Sequence, residues 1–263
     1  MAVTLTVTHH DPEGRLYDQA RQFLPVLTNI FAGLAVQASL AANDRSLALW
    51  QSAGATIERS TVSTLPGLGQ VRRAALAQAL RASAPFILFC DSDRALHWAE
   101  HYPQELAAVV AALPEHDFTI VGRTERAFAT HPRVQRDTES IVNHVFATVS
   151  GREWDVTAAA RGLSRRAAEA IVSGCDDDTI GVDVSWPLYL QQTGSFSLGY
   201  VATEGLEFET ADRHPGEIAT AGGRAQWLAQ LDADPKRWAN RLHLAHLEIE
   251  AMIPYALSRS DEG

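Results

Sequence analysis

Residues 86–90 (FILFC) are apolar without a break, and the next three residues are Asp91-Ser92-Asp93. A strand that is apolar on every residue is buried on both faces, as in the middle of a parallel sheet covered by helices. The switch from apolar to acidic places two carboxylates at the end of that strand. Short β-rich runs and helical stretches alternate around it, the pattern of βαβ units. Strands are predicted at 3–8, 33–37, 55–59, 86–90, 118–121 and 196–202. Helices are predicted around 16–24, 46–52, 70–81, 105–113, 134–149, 164–172 and 184–192, the last with Pro187 near its first turn. The tail from 225 to 257 reads as mostly helical, interrupted near Pro235.

Ligands of open α/β sheets bind beyond the carboxyl ends of the parallel strands. Carboxylates spaced i and i+2 there suit a hard divalent cation, Mg²⁺ or Mn²⁺, which takes oxygen ligands and shares its sphere with substrate phosphates. The other reading makes Asp91 and Asp93 loop residues that cap the following helix. Lys and Arg total 22 against 32 Asp and Glu, a net charge of −10, which argues against a nucleic-acid partner. A bound cation would let such an acidic chain hold a diphosphate. Gly67-Leu68-Gly69 precedes a helix carrying Arg72, and glycines at a helix amino terminus let backbone N–H groups approach an anion; alone, G-x-G is also an ordinary loop turn.

The stretch GLGQVRRAALAQALRASAPFILFCDSD resembles the G-x-G-x-x-R…(apolar strand)-D-x-D segment of GT-A-fold glycosyltransferases, which use nucleotide-diphosphate sugars. VTLTVTHHD is similar to the family's first strand at the nucleobase pocket, and SLAAND to its S-x-D-x-T-like turn. Asp155…Arg161-Gly162-Leu163-Ser164-Arg165 looks like the family's D…G-F-R-L-x-S-R, with Ala159-Ala160 replacing a Gly-aromatic pair. Within the family the likeness is strongest to mannosylglycerate synthase and glucosyl-3-phosphoglycerate synthase, which are retaining. It implies one α/β GT-A domain over 1–263, with a mostly parallel sheet flanked by helices. About 1–125 would serve the nucleotide and about 126–220 the acceptor, with a helical tail from about 221.

The resemblance implies Asp93 as metal ligand, Asp91 on the ribose or on the metal through water, and His214 completing the metal's coordination. It sets Gly67, Gly69 and Arg72 on the diphosphate and Arg161 on phosphate or acceptor; the other reading of either arginine is a surface salt bridge. Asp183, in Gly181-Val182-Asp183, would orient or deprotonate the acceptor hydroxyl; its other reading is a helix cap. Arg133 and Arg136 are expected near a loop closing over the site, and Asp176–Asp178 as a solvated run. His243 and His246 read as packing or surface residues. His9 and His10 either border the base or are structural.

The implied reaction is metal-dependent transfer of a sugar to a small hydroxylated acceptor. The rival readings are a sugar-phosphate nucleotidyltransferase, whose Gly-rich basic signature near the first strand is missing from THHDPEGR, and a non-catalytic nucleotide-sugar-binding protein. Two cysteines, no signal-peptide pattern and no long apolar run lead to the expectation of a cytoplasmic protein without an integral membrane segment. A homo-oligomer is compatible with all of this.

Overall fold

The structure, a computed structural model, describes residues 2–62 and 67–257. Its strands are β1 (Val3–His9), β2 (Gly33–Ser39), β3 (Thr56–Ser60), β4 (Phe86–Asp91), β5 (Phe118–Arg123), β6 (Ala160–Ser164) and β7 (Leu198–Thr203). They form one 7-stranded sheet in the order β3-β2-β1-β4-β6-β5-β7. All neighbours are parallel except β6, which runs antiparallel to both β4 and β5.

The helices are α1 (Tyr17–Ile30), α2 (Asp44–Ser52), α3 (Leu68–Ala79), α4 (Ser92–His101), α5 (Pro103–Ala112) and α6 (Glu125–Ala129), then α7 (Arg133–Ser150), α8 (Arg165–Gly174), α9 (Val182–Thr193), α10 (Pro215–Ala221), α11 (Arg224–Ala233) and α12 (Pro235–Leu257). No described helix is long and apolar enough to cross a membrane.

The alternation of β4 explains its unbroken apolar run, because successive side chains point to opposite faces. Leu88 and Cys90 enter a core built with α1, α2, α4 and α5, beside Val3, Leu5 and Val7 of β1, Leu27, Trp50 and Trp98. Ile87 and Phe89 enter the opposite core, with Leu76 of α3, Phe146 of α7, Trp186 of α9 and Met252 of α12. A smaller cluster joins Phe208 and Ala211 to Trp227 and Leu231 of α11. Both cysteines are free and buried.

The structure departs from the sequence reading in four places. Helix α4 starts at Ser92, directly on the acidic pair, in a stretch outside the predicted helices. Strand β6 occupies Ala160–Ser164, a segment not expected to be extended, and its last residue caps α8 by accepting from the Ala167 N–H. Pro187 lies inside α9, not near its first turn. Arg133 and Arg136 lie at the start of α7, with Arg133 paired to Asp137 at 2.9 Å on the surface, so neither belongs to a closing loop.

Candidate functional site

The carboxyl ends of β1, β2, β3 and β4 open onto a cavity of about 550 Å³ lined by His9, His10, Gln37, Ser39, Asp91 and Asp93, among others. A second chamber of about 190 Å³ lies beside it, lined by Arg72, Arg94, Glu139, Ala159, Asp183 and Glu248, among others. Asp91 lines both, as do Leu68 and Arg241. The acidic pair therefore stands where two chambers meet, beyond the ends of the parallel strands.

Asp91 occupies the N-cap position of α4, yet its side chain makes no cap hydrogen bond. Its carboxylate instead accepts the Thr8 hydroxyl of the neighbouring strand. Asp93, on the first turn of α4, faces Arg213, whose Nη2 is 3.2 Å from Asp93 Oδ2. Arg94 sits 3.7 Å from Glu209. Burial first, and then the carboxylates of Glu209 and Asp91, push the Asp93 carboxyl up to about 6, against the pull of Arg213 and Arg94. More negative charge is gathered here than the two arginines offset, which fits a hard divalent cation held by oxygen.

In the larger cavity, His9 is buried with Nδ1 2.8 Å from Ser92 Oγ. Burial lowers its pKa from 6.5 to about 4, with only partial opposition from Asp11. The unfolded chain therefore binds the proton more tightly, and stability rises with pH across that interval. The expected slope from His9 is about 1.4 kcal/mol per pH unit between pH 6.5 and 4. Denaturant melts at pH 7, 6 and 5 check it, because His9→Gln should remove that part of the slope.

Asp183 does not cap α9, whose N-cap is Gly181 with no side-chain cap bond. Its Oδ2 is 2.9 Å from Arg72 Nη1 and its Oδ1 3.1 Å from Arg161 Nη2, with all three side chains at most 5% exposed. Proline has no N–H, so Pro187 leaves the Asp183 carbonyl, four residues back, without a helical donor. Arg161 Nη2 donates to that carbonyl at 3.1 Å. Arg161 also donates to the carbonyls of Ala160 and Val156 and is fully buried. It braces Asp183 and does not line either chamber. Arg72 does line the inner chamber, and its Nε, like Nε and Nη1 of Arg94, has no hydrogen-bond partner among the described residues.

The Gly-rich turn serves packing. The Gly69 N–H, expected at the diphosphate, donates to the Asp178 carbonyl at 2.8 Å. A Cβ on Gly69 would lie 2.5 Å from the Asp177 carbonyl oxygen, and one on Gly67 would lie 2.1 Å from a Val62 methyl. Gly69→Ala must therefore push the 177–179 segment off α3, an overpacking that costs about 1–3 kcal/mol; equal urea midpoints for variant and wild type would dismiss this packing role. The acidic run is correspondingly engaged: Asp178 pairs with Arg73, and Asp177 accepts from Thr179 and Ser185.

His214 does not join Asp93. Its Nδ1 is 2.8 Å from Arg15 Nη1 and from Glu217 Oε1, and it lines a separate cavity with Trp227. The preceding 3₁₀ turn, Glu209–Arg213, explains this. Successive side chains there are about 120° apart, so Arg213 faces Asp93 and the next residue points elsewhere.

Sequence reasoning missed Arg94, Arg213 and Glu209 around the acidic pair, and Arg241 and Glu248 from α12. Burial and the nearby carboxylates of Asp183 and Glu139 raise the Glu248 carboxyl well above the usual range, which favours its neutral form beside the inner chamber. His246 pairs with Glu250 on the surface, as a packing or surface residue should. Ala159 is the one described non-glycine residue with positive φ, at 52°, in the place where the family motif carries glycine.

This α/β architecture is the GT-A fold. Three solved structures of glucosyl-3-phosphoglycerate synthase from Mycobacterium tuberculosis share it. The complex with Mn²⁺, UDP and phosphoglyceric acid has a TM-score of 0.51 at 15% identity, over 76% of this chain and 68% of that one. The complex with Mg²⁺ and UDP has a TM-score of 0.54 at 16% identity, over 76% and 69%. The complex with Mn²⁺, UDP-glucose and phosphoglyceric acid has a TM-score of 0.53 at 14% identity, over 86% and 79%. No family model matches the chain, and no curated protein matches its sequence.

Proposed function

We propose that this chain is a metal-dependent glycosyltransferase that moves a sugar from a nucleotide-diphosphate sugar to a small hydroxylated acceptor, with retention at the anomeric carbon. One observation carries the proposal: Asp91 stands at the junction of two chambers, beside Asp93 and beside buried guanidinium N–H groups of Arg72 and Arg94 that no group among the described residues accepts. The larger chamber has room for a nucleoside over the ends of β1 and β2, and the smaller for a sugar and its acceptor. The Mn²⁺, Mg²⁺, UDP and UDP-glucose in the similar solved structures support this reading, and so does the phosphoglyceric acid bound in two of them.

Asp93 and Asp91 would hold Mg²⁺ or Mn²⁺, which when bound neutralises the diphosphate and eases its departure. Arg72 and Arg94 offer their free N–H groups to the phosphate oxygens as charge develops on them. Asp183 is proposed as a positioning residue. Both its oxygens are taken by arginines, which suits it to fix Arg72 more than to abstract a proton. Glu248 lines the smaller chamber, within which its carboxyl would hydrogen-bond an acceptor hydroxyl and help orient it. The division into a nucleotide half and an acceptor half, and the cytoplasmic setting, belong to the same proposal.

Thermal melts with UDP- and GDP-sugars, with and without Mn²⁺, test it. At a ligand concentration 100 times Kd, stabilisation is about 2.7 kcal/mol. The reading fails if no nucleotide sugar stabilises the chain at any Mn²⁺ concentration. Slow donor hydrolysis, assayed next, separates an enzyme from a binder. Pyrophosphate release from a nucleoside triphosphate and a sugar phosphate would mark a nucleotidyltransferase instead.

A further inference from the structure

Away from the chambers, α4 carries His97 and His101 at i and i+4, one turn apart on the same face. Their rings lie 4.4 Å apart, centroid to centroid. Asp212, from the 3₁₀ turn after β7, closes on them with Oδ2 2.6 Å from His97 Nδ1. Ligand atoms from these three residues all lie within 4.8 Å of one another. We propose that His97, His101 and Asp212 form a second metal site, for a borderline transition ion such as Zn²⁺, distinct from the acidic pair.

Two imidazoles and one carboxylate are the donor set that Zn²⁺, Co²⁺ or Ni²⁺ prefers, whereas carboxylates alone suit Mg²⁺ and Mn²⁺. The surroundings support the ligands. His97 is 2% exposed, and its Nε2 makes no hydrogen bond within the described residues. Glu207 Oε1 stands 3.5 Å from that nitrogen. When Nδ1 binds a metal, an Nε2–H facing a carboxylate fixes the tautomer and raises the basicity of the ligand. Gln19 donates to Asp212 Oδ2 at 3.0 Å and orients it. His101 is 44% exposed, which leaves the ion an entry path and a place for a water ligand.

The site would have a consequence for the strand-end pair. Asp212 precedes Arg213, the partner of Asp93. An ion on α4 and Asp212 ties the Glu209–Arg213 turn to the helix that carries Asp93, and so fixes how Arg213 lies over it.

The full chain, stripped with a chelator, is titrated with Zn²⁺ alone and with Co²⁺ alone. Asp93→Ala is the background in which the strand-end pair cannot contribute. One Zn²⁺ per chain is expected, with a Tm increase of about 5–10 °C at 100 times Kd, and Co²⁺ should show the visible absorption of a low-coordinate site. His101→Gln, at an exposed position that folding tolerates, and Asp212→Asn should each weaken Zn²⁺ at least tenfold in that background. Equal Zn²⁺ affinity with and without His101 overturns the proposal. So does an absence of Zn²⁺ binding in the Asp93→Ala chain, which would leave His97 and Asp212 as an ion pair only. Neither result bears on sugar-nucleotide binding, which the Mn²⁺ melts read separately.

Discussion

Asp93→Ala is expected to abolish Mn²⁺-dependent nucleotide binding, weakening it at least 100-fold, about 2.7 kcal/mol. Outer residues that merely orient a metal ligand are worth 10–100-fold, so loss of a ligand should exceed that. The metal-free protein should not suffer in parallel. Burial first, and then Glu209 and Asp91, raise the Asp93 carboxyl to about 6, so its removal relieves both the desolvation of a buried charge and its repulsion by those neighbours. Stability without metal and affinity with metal should therefore separate: the first holds or rises slightly, the second collapses. Isothermal titration with UDP, with and without Mn²⁺, measures the affinity, and a urea melt measures the fold. Unchanged UDP affinity in the presence of Mn²⁺ would remove Asp93 from the site.

The strand-end pair was legible because a central strand covered by helices on both faces has no solvated side. Phe86–Asp91 could only be apolar throughout and then polar at its tip, and Ile87 and Phe89 on one core with Leu88 and Cys90 on the other bear that out. Strand β6 was not legible: it is five residues long, carries Arg161 and Gly162, and is extended only because β4 and β5 pair with it on both sides. Gly69 misled for a related reason. A glycine that admits a ligand and one that admits another loop look the same in sequence, and here the 177–179 segment fills the space. His214 was one residue from the partner that Asp93 actually meets, a difference set by the pitch of a single 3₁₀ turn. Arg241 and Glu248 belong to the tail helix, and only the packing of α12 across α7 and α9 brings them to the inner chamber. The period-four pair His97 and His101 was visible in the sequence, but nothing local shows that Asp212 closes on it.

Asp155→Asn should be the most destabilising single replacement among the residues that support the inner chamber, whose lining residue Thr157 donates to it, by about 3–5 kcal/mol, the range for breaking a buried ion pair. Arg123 is fully buried, and its Nε and Nη2 reach Asp155 Oδ2 at 2.7 Å and Oδ1 at 2.8 Å. The Arg123 backbone N–H and Asn143 Nδ2 also donate to the same carboxylate, at 3.0 and 2.9 Å. An amide in its place turns an NH₂ group toward these donors and leaves Arg123 with Glu139, 2.8 Å away, as its remaining carboxylate. Burial alone would raise the Asp155 carboxyl; the charge of Arg123 and the bonds from Arg123 and Asn143 outweigh it and hold the group well below the ordinary carboxylate range. With the folded pKa below the unfolded value of about 3.9, the ionised form's contribution is complete above that pH and is lost as pH falls beneath it. The deficit of the variant should therefore be greatest at neutral pH and shrink toward pH 3. Guanidinium melts of both proteins at pH 7 and pH 3 read this out; a deficit below 1 kcal/mol at pH 7, or one that does not narrow on acidification, would show that the pair does not carry this load. Because Asp155 anchors the segment leading to Ala159 and β6, the same variant should loosen the inner chamber, lowering turnover more than donor affinity.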